Sequence, residues 1–242
     1  MTQNIYDDET FFAGYSRLRR SVEGLDGAPE WPALRALLPP LAGARVVDLG
    51  CGFGWFCRWA RGNGAAHVLG IDVSEKMLAR ARASTADTAV AYVRADLEHL
   101  TLAPASFDLA YSSLALHYVV DLGGLLRALH RALVAGGRLV VSVEHPIYTA
   151  PRDARWSVDG AGRKTWPVDA YLHEGPRITD WLAPGVVKQH RTMAAYLDAL
   201  RREGFTLTDV QEWGPTDAQI AERPELADER ERPAFLLLAA AR

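Results

Sequence analysis

Residues 46–54 read Val-Val-Asp-Leu-Gly-Cys-Gly-Phe-Gly, and this stretch decides the fold. Together with Arg45, the run Val46, Val47, Asp48, Leu49 is short, apolar and β-branched, the pattern of a strand covered on both faces. The glycine-rich turn behind it lets backbone come close to a ligand. Residues 55–61 then continue as a short helix, whose first N–H groups lack partners and face the same place. A dinucleotide fingerprint, G-x-G-x-x-G, needs its third glycine where helix packs on strand. Trp55 holds that position here, and the spacing is G-x-G-x-G: Gly50, Gly52, Gly54.

Two acids extend the signal. Asp72 follows the apolar run 67–71 and lies 18 residues beyond Gly54. In nucleoside-binding α/β folds an acid ~20 residues past the glycine turn accepts hydrogen bonds from ribose hydroxyls. Asp96 follows a third run, 90–93, where a carboxylate can accept from an amino group such as adenine N6.

Outward from this centre, strand and helix alternate. The spacing predicts strands at 45–49, 67–71, 90–93, 107–112 and 138–143, and helices at 55–61, from Ser74 through Ala81, and at 122–134. That alternation means parallel βαβ units. Two helices, 9–23 and 31–38, precede it. After Pro146 about 45 residues lack helical period. Hairpins are expected there around Asp159-Gly160 and Pro184-Gly185. A helix at 193–202 and strands at 206–213 and 234–241 close the chain. The charged stretch 217–232 between those strands reads as a solvated face.

The 242 residues are 49% hydrophobic and 24% charged, with net charge −3. These are globular values. Nucleic acid is not expected as a partner, because phosphate neutralisation needs clustered positive charge. The longest apolar run, 234–241, has 8 residues, against ~20 for a bilayer span, so no membrane partner is expected. The first ten residues are polar and acidic, without the order of a secretory signal. Cys51 and Cys57 make neither a disulfide framework nor a zinc spacing, so no metal is expected and a cytoplasmic location fits.

At these points the sequence resembles the class I S-adenosylmethionine-dependent methyltransferases, and specifically the small-molecule subgroup labelled methyltransferase domain 11. The stretch D-L-G-C-G-F-G is similar to that family's first motif, G-I-D-V-S-E-K-M-L to its second and A-D-L to its third. F-D-L-A-Y-S-S-L-A-L-H-Y and L-V-A-G-G-R-L-V-V-S resemble its later motifs. The resemblance implies an α/β, Rossmann-like sheet of seven mostly parallel strands, helices on both faces and a reversed last strand. It implies one methyltransferase domain: a helical cap at 1–42, a cofactor-binding core at 43–145, an inserted lid at 146–190, and a C-terminal helix with the last strands at 191–242. It also implies S-adenosylmethionine as cofactor and S-adenosylhomocysteine as product.

Residue by residue, the resemblance sets Asp48 and Gly50 against the amino acid part of the cofactor. Gly52 and Gly54 give the close backbone approach, with Cys51 facing the same crevice. Asp72 holds the ribose, Val73 and Met77 flank the adenine, and Asp96 with the Leu97 backbone reads its edge. The Ser112 carbonyl accepts from the cofactor's amino group. Met77 also fits as core filler, and Asp96 as a turn residue.

His117 and Tyr118 follow strand four and are the candidate catalytic pair, the histidine orienting a substrate or taking its proton; a loop histidine satisfied by backbone is the alternative. Glu144-His145 ends strand five and points at the same crevice, with a hydrogen-bonded hinge before Pro146 as the alternative, and His190-Arg191 reads as a helix cap or lid anchor. Tyr15 and Arg19 either close over the cofactor from the N-terminal helix or serve packing alone. Tyr148, Trp156, Trp166, Tyr171 and Trp181 line either a substrate pocket or a small insertion core.

Methyl transfer from a sulfonium needs mainly alignment and exclusion of water. A base is required only when the nucleophile still holds its proton. The place of an N-P-P-Y clamp for a flipped base holds Ser112-Ser113-Leu114-Ala115 instead. The expected function is therefore methylation of a small-molecule acceptor. The alternatives are a non-catalytic S-adenosylmethionine-binding module or an aminopropyl transferase on the same fold. A homodimer is left open.

Overall fold

The structure, a computed structural model, describes residues 3–242. The chain opens with helices α1 (Glu9–Tyr15), α2 (Arg19–Val22) and α3 (Trp31–Ala36). The alternating core follows: β1 (Arg45–Leu49), α4 (Trp55–Gly62), β2 (His67–Asp72), α5 (Glu75–Ala83), β3 (Val90–Arg94), β4 (Phe107–Ser113), α6 (Leu122–Ala132) and β5 (Leu133–Glu144). The insertion holds α7 (Pro146–Thr149), a two-residue hairpin β6 (Ser157–Val158) and β7 (Lys164–Thr165), and a second hairpin β8 (Gly175–Thr179) and β9 (Val186–His190). The chain closes with α8 (Met193–Arg202), β10 (Thr206–Trp213), α9 (Asp217–Glu222) and β11 (Phe235–Ala241).

Among the described residues seven strands form one sheet in the order β10-β11-β5-β4-β1-β2-β3. All core pairings from β5 to β3 are parallel, and β11 runs antiparallel to both neighbours. The order reverses between β1 and β4, so ligands are received outside the carboxyl ends there. Because β11 is reversed, its first residue pairs with the last of β5, Phe235 opposite Glu144. The segment leading into β11 therefore arrives at the same end of the sheet.

Period-two alternation sorts the core onto two faces. Val46, Val140 and Leu237 pack with Trp31, Phe56 and Ala60 on one side. Val47, Leu139, Val141 and Leu238 pack with Leu126 and Leu129 of α6 and Tyr196 of α8 on the other. Phe56 stacks on Tyr111 with centroids 3.5 Å apart, fixing α4 against β4; such a pair contributes about 1 kcal/mol beyond its buried area.

Three sequence expectations shift. The helix predicted over 9–23 breaks at Leu18, whose ψ of 147° is extended and splits it into α1 and α2. The helix predicted over 122–134 ends at Ala132, because the fully buried Leu133 pairs with Phe107 and starts β5. A register shift between Phe107 and Leu109 then absorbs the turn at Gly136. Finally, the segment 217–232 is not solvated throughout: Arg232 is only 5% exposed and reaches the site.

Candidate active site

The turn after β1 is pinned to β2. Gly50 and Cys51 donate their N–H groups to the Ile71 carbonyl at 2.8 and 2.9 Å. Gly52 N–H donates to the Asp72 carboxylate at 2.9 Å, and Ser74 N–H donates to its other oxygen at 2.9 Å. The three glycines divide their work. A Cβ on Gly50 would lie 2.4 Å from the Ala115 Cβ, and one on Gly54 would lie 2.1 Å from the Tyr92 hydroxyl. Those two make room for protein. Gly52, at φ +51°, faces nothing within 4 Å and so opens towards a ligand.

A cavity of about 400 Å³ spreads over this turn. At the end of β1 it is lined by Asp48, Gly50, Cys51 and Gly52. Asp72 and Val73 line it at the end of β2, with Met77 from α5 beneath them. Asp96 and Leu97 line it at β3, and His117 and Tyr118 past β4. Two expected residues stand behind the wall. Gly54 caps α4 and serves the packing against Tyr92. Ser112 is fully buried, and its hydroxyl donates to the Leu49 carbonyl at 2.8 Å. Its neighbours Ser113, Leu114 and Ala115 form the wall at that place.

Burial controls the electrostatics. Loss of water pushes Asp48 up to about 7, although the Cys57 thiol donates to it at 3.2 Å. Loss of water also pushes Asp72 up to about 6, against the pull of its backbone donors. His117 is driven down to about 4 by burial, with Glu144 pulling the other way. It is therefore neutral at pH 7. Its Nδ1 accepts from Glu144 N–H at 3.4 Å, which leaves the ring proton on Nε2.

The cap and the insertion close the cavity from above. Tyr6 packs edge-on to Phe11, Tyr15 and Tyr118, and Trp181 packs edge-on to Phe11 and Tyr15. Gln3 hooks the cap to the turn before β9, donating to Gly185 and accepting from Val187 N–H, both at 2.9 Å. Asp7 accepts from the Ser74 hydroxyl at 2.6 Å and ties the cap to α5. Tyr15 lines the cavity as expected, but Arg19 does not: it pairs with Glu23 at the surface. Arg20, one position on, turns inward to the buried Glu30. His190 anchors the insertion, bonded to Thr149 and to the Tyr171 carbonyl, each at 2.8 Å. Of the insertion aromatics only Tyr148 and Trp181 line the cavity.

The profile of a family described as "Methyltransferase domain" matches residues 47–141. A solved S-adenosylmethionine-dependent methyltransferase from Mesorhizobium loti is 63% identical and superposes with a TM-score of 0.88, covering 90% of this chain and all of that one. The chain belongs to the S-adenosylmethionine-dependent methyltransferases. An uncharacterized Haemophilus influenzae protein is 32% identical over 98% of this methyltransferase and 96% of the relative. A malonyl-[acyl-carrier protein] O-methyltransferase of Enterobacter lignolyticus is 45% identical over 107 residues; this chain spans 41% of that relative's length.

The residues of the β1–β3 half fit S-adenosylmethionine, the family's cofactor. Gly52 leaves open space, and buried carboxylates stand at two successive strand ends. The methyltransferase also has a polar wall at the β5 end that lies beyond the matched profile. Glu144 pairs with Lys188 at 2.5 Å, and that lysine is only 3% exposed. The Arg232 guanidinium sits 4.4 Å from the ring centres of both Tyr148 and Trp166 and pairs with Glu229 at 2.6 Å. Sequence reasoning pointed Glu144, at the end of its strand, towards the crevice, where the structure places it, and missed Lys188, Glu229 and Arg232. These groups lie 44 to 88 positions from Glu144, and no local pattern announces their meeting.

Among the described residues no helix is long and apolar enough to cross a membrane.

Proposed function

We propose that the chain transfers a methyl group from S-adenosylmethionine to a small-molecule acceptor seated at the β5 end of the cavity. The observation that carries this reading is the continuity of one cavity along successive strand ends, from Asp96 past Gly52 to Glu144. Neighbouring strands stand about 4.8 Å apart, so the sheet edge works as a ruler. Asp96 and Leu97 would read the adenine, Asp72 the ribose, and Asp48 with the Gly50–Gly52 turn the amino acid part. Val73 and Met77 would flank the base. The carbonyls past β4 would receive the cofactor's amino group, from Ser112 or from its cavity-lining neighbours Ser113 and Leu114.

When bound, the cofactor supplies an electrophilic methyl carbon on a sulfonium with a neutral leaving group. The chain's contribution is alignment and dryness. Tyr6, Tyr15 and Trp181 cover the cavity and shed water from it. His117 is neutral and already accepts at Nδ1, so it orients or donates rather than takes a proton. Tyr118, whose hydroxyl oxygen accepts a hydrogen bond from the Tyr6 hydroxyl and whose pKa burial raises far above neutrality, is a wall and a donor. The likeness to the malonyl-carrier enzyme spans less than half of either chain, so it supports the cofactor half and leaves the acceptor to this chain's own wall.

Calorimetric titration with S-adenosylmethionine and S-adenosylhomocysteine tests the reading, on wild type and Asp72→Ala. Both ligands should bind wild type and bind the variant far more weakly. Failure of both to bind wild type would sink it. Tighter binding of decarboxylated S-adenosylmethionine would favour aminopropyl transfer. Binding with no turnover across a broad acceptor panel would favour a non-catalytic module.

A further inference from the structure

We infer that Glu144, held by Lys188, is the group that receives the acceptor's proton, and hence that the acceptor presents an O–H or N–H at the β5 end of the cavity. The inference rests on the cofactor placement proposed above. Glu144 is the last residue of β5 and lines the cavity with His117, Tyr118, Tyr148 and Phe235. One carboxylate oxygen, Oε1, accepts from the Lys188 ammonium at 2.5 Å. The other, Oε2, is buried and has no hydrogen-bond partner among the described residues. A buried carboxylate oxygen without a partner is costly, and such groups in folded proteins call for a ligand donor.

The surroundings narrow the partner. Lys188 is itself buried, stacked 5.0 Å from the Trp181 ring centre, so its charge is committed to Glu144. The ammonium holds Oε1 and leaves the other oxygen of the carboxylate without a donor. The neighbouring histidine cannot compete for a proton, because its Nδ1 accepts the Glu144 N–H and burial keeps the ring neutral. Sheet order puts Glu144 one strand past β4, on the side away from Asp72 and Asp96. On the cofactor placement proposed above, that is the side left for the acceptor.

The step balances without any added reagent. The acceptor's lone pair forms the new bond to the methyl carbon. The carbon–sulfur bond breaks with its pair going to sulfur, and the O–H or N–H proton passes to Glu144 Oε2 while the bonding pair stays on the acceptor. A water or bulk base later takes the proton from Glu144.

Sinefungin is a suitable probe, since it carries an amine where the cofactor carries its sulfonium methyl. Wild type should bind sinefungin more tightly than S-adenosylhomocysteine. Glu144→Gln should lose at least about tenfold in sinefungin affinity, the size of a charge-assisted hydrogen bond, and keep S-adenosylhomocysteine within about twofold. Glu144→Gln leaves Lys188 buried without its counter-ion, so Glu144→Gln/Lys188→Met repeats the comparison with both charges removed. An unchanged sinefungin preference in the folded variants overturns the inference. Loss of both ligands from both variants also overturns it, because Glu144 then serves the cofactor pocket or the fold. Absence of S-adenosylhomocysteine binding in wild type is a different failure, that of the cofactor placement itself.

Discussion

The Asp72 carboxylate accepts the Gly52 N–H at 2.9 Å and the Ser74 N–H at 2.9 Å. One side chain thus sets the glycine turn, the start of α5 and the polar floor of the cavity together. Asp72→Asn should keep the fold, since an amide oxygen still accepts one of these bonds. It should weaken S-adenosylhomocysteine by roughly ten- to a hundredfold, the cost of a charge-assisted hydrogen bond. Isothermal titration at pH 7.5 measures this, and an unchanged affinity would remove Asp72 from the binding site.

The two buried acids make stability fall with rising pH. Asp48 is raised to about 7 and Asp72 to about 6, both above their ordinary value. The folded state therefore holds protons that the unfolded chain has already released. Their stabilisation is complete below pH 4 and is lost as pH climbs through 6 and 7. Asp48→Asn cannot ionise. Its stability relative to wild type should rise between pH 5 and pH 8 by about 1 kcal/mol or more, given ~1.4 kcal/mol per pKa unit. Urea melts at the two pH values check this; a constant difference would contradict it.

Bound cofactor should reverse that balance. A cationic sulfonium and ribose donors favour the ionised carboxylates, so binding near pH 6 should release protons. Calorimetry in buffers of different ionisation enthalpy reads the number directly. Uptake of protons would show that the acids stay neutral in the complex.

His117 should stay uncharged across the physiological range, because burial holds it at about 4. In an NMR titration its ring signals, identified by their loss in His117→Asn, should not move between pH 5.5 and 8. A midpoint near the ordinary ~6.5 would show that the ring is solvated and available as a base.

Gly52→Ala and Gly54→Ala should fail in opposite ways. A methyl on Gly54 meets the Tyr92 hydroxyl at 2.1 Å and the ring behind it at 2.8 Å, so this variant should lose stability by about 1–3 kcal/mol from overpacking. A methyl on Gly52 meets no protein atom within 4 Å. That variant carries only the strain of its positive φ, about 1 kcal/mol, yet should lose most ligand affinity. Thermal melts beside titrations separate the two; equal loss of binding with equal stability would refute the division.

The β1–β3 half was legible because each candidate residue stands at or just past the end of a strand. Asp48, Gly50, Gly52, Asp72 and Asp96 announce themselves by local pattern, and the structure brings them to one cavity, with Gly54 packed behind its wall. The helix boundaries were less so. Leu18 is a good helix former, so nothing local announces its extended backbone, two residues before Arg20 turns inward to Glu30. The β5 wall was legible only at Glu144, whose partners were not. Glu144, Lys188 and Arg232 come from three separate segments, and Arg232 sits at the end of a charged run that reads as solvated. Aromatic rings shield that guanidinium, a compensation no neighbouring residue in the sequence reveals.

The antiparallel last strand has a consequence for redesign. A parallel final strand would deliver its preceding segment to the far end of the sheet. Because β11 runs backwards, residues 229–234 reach the site from outside the alternating core. On the acceptor placement proposed above, exchanging this segment and the insertion between related enzymes, as cassettes, would reach acceptor preference. The cofactor half, folded from residues 45–113, would be carried over untouched.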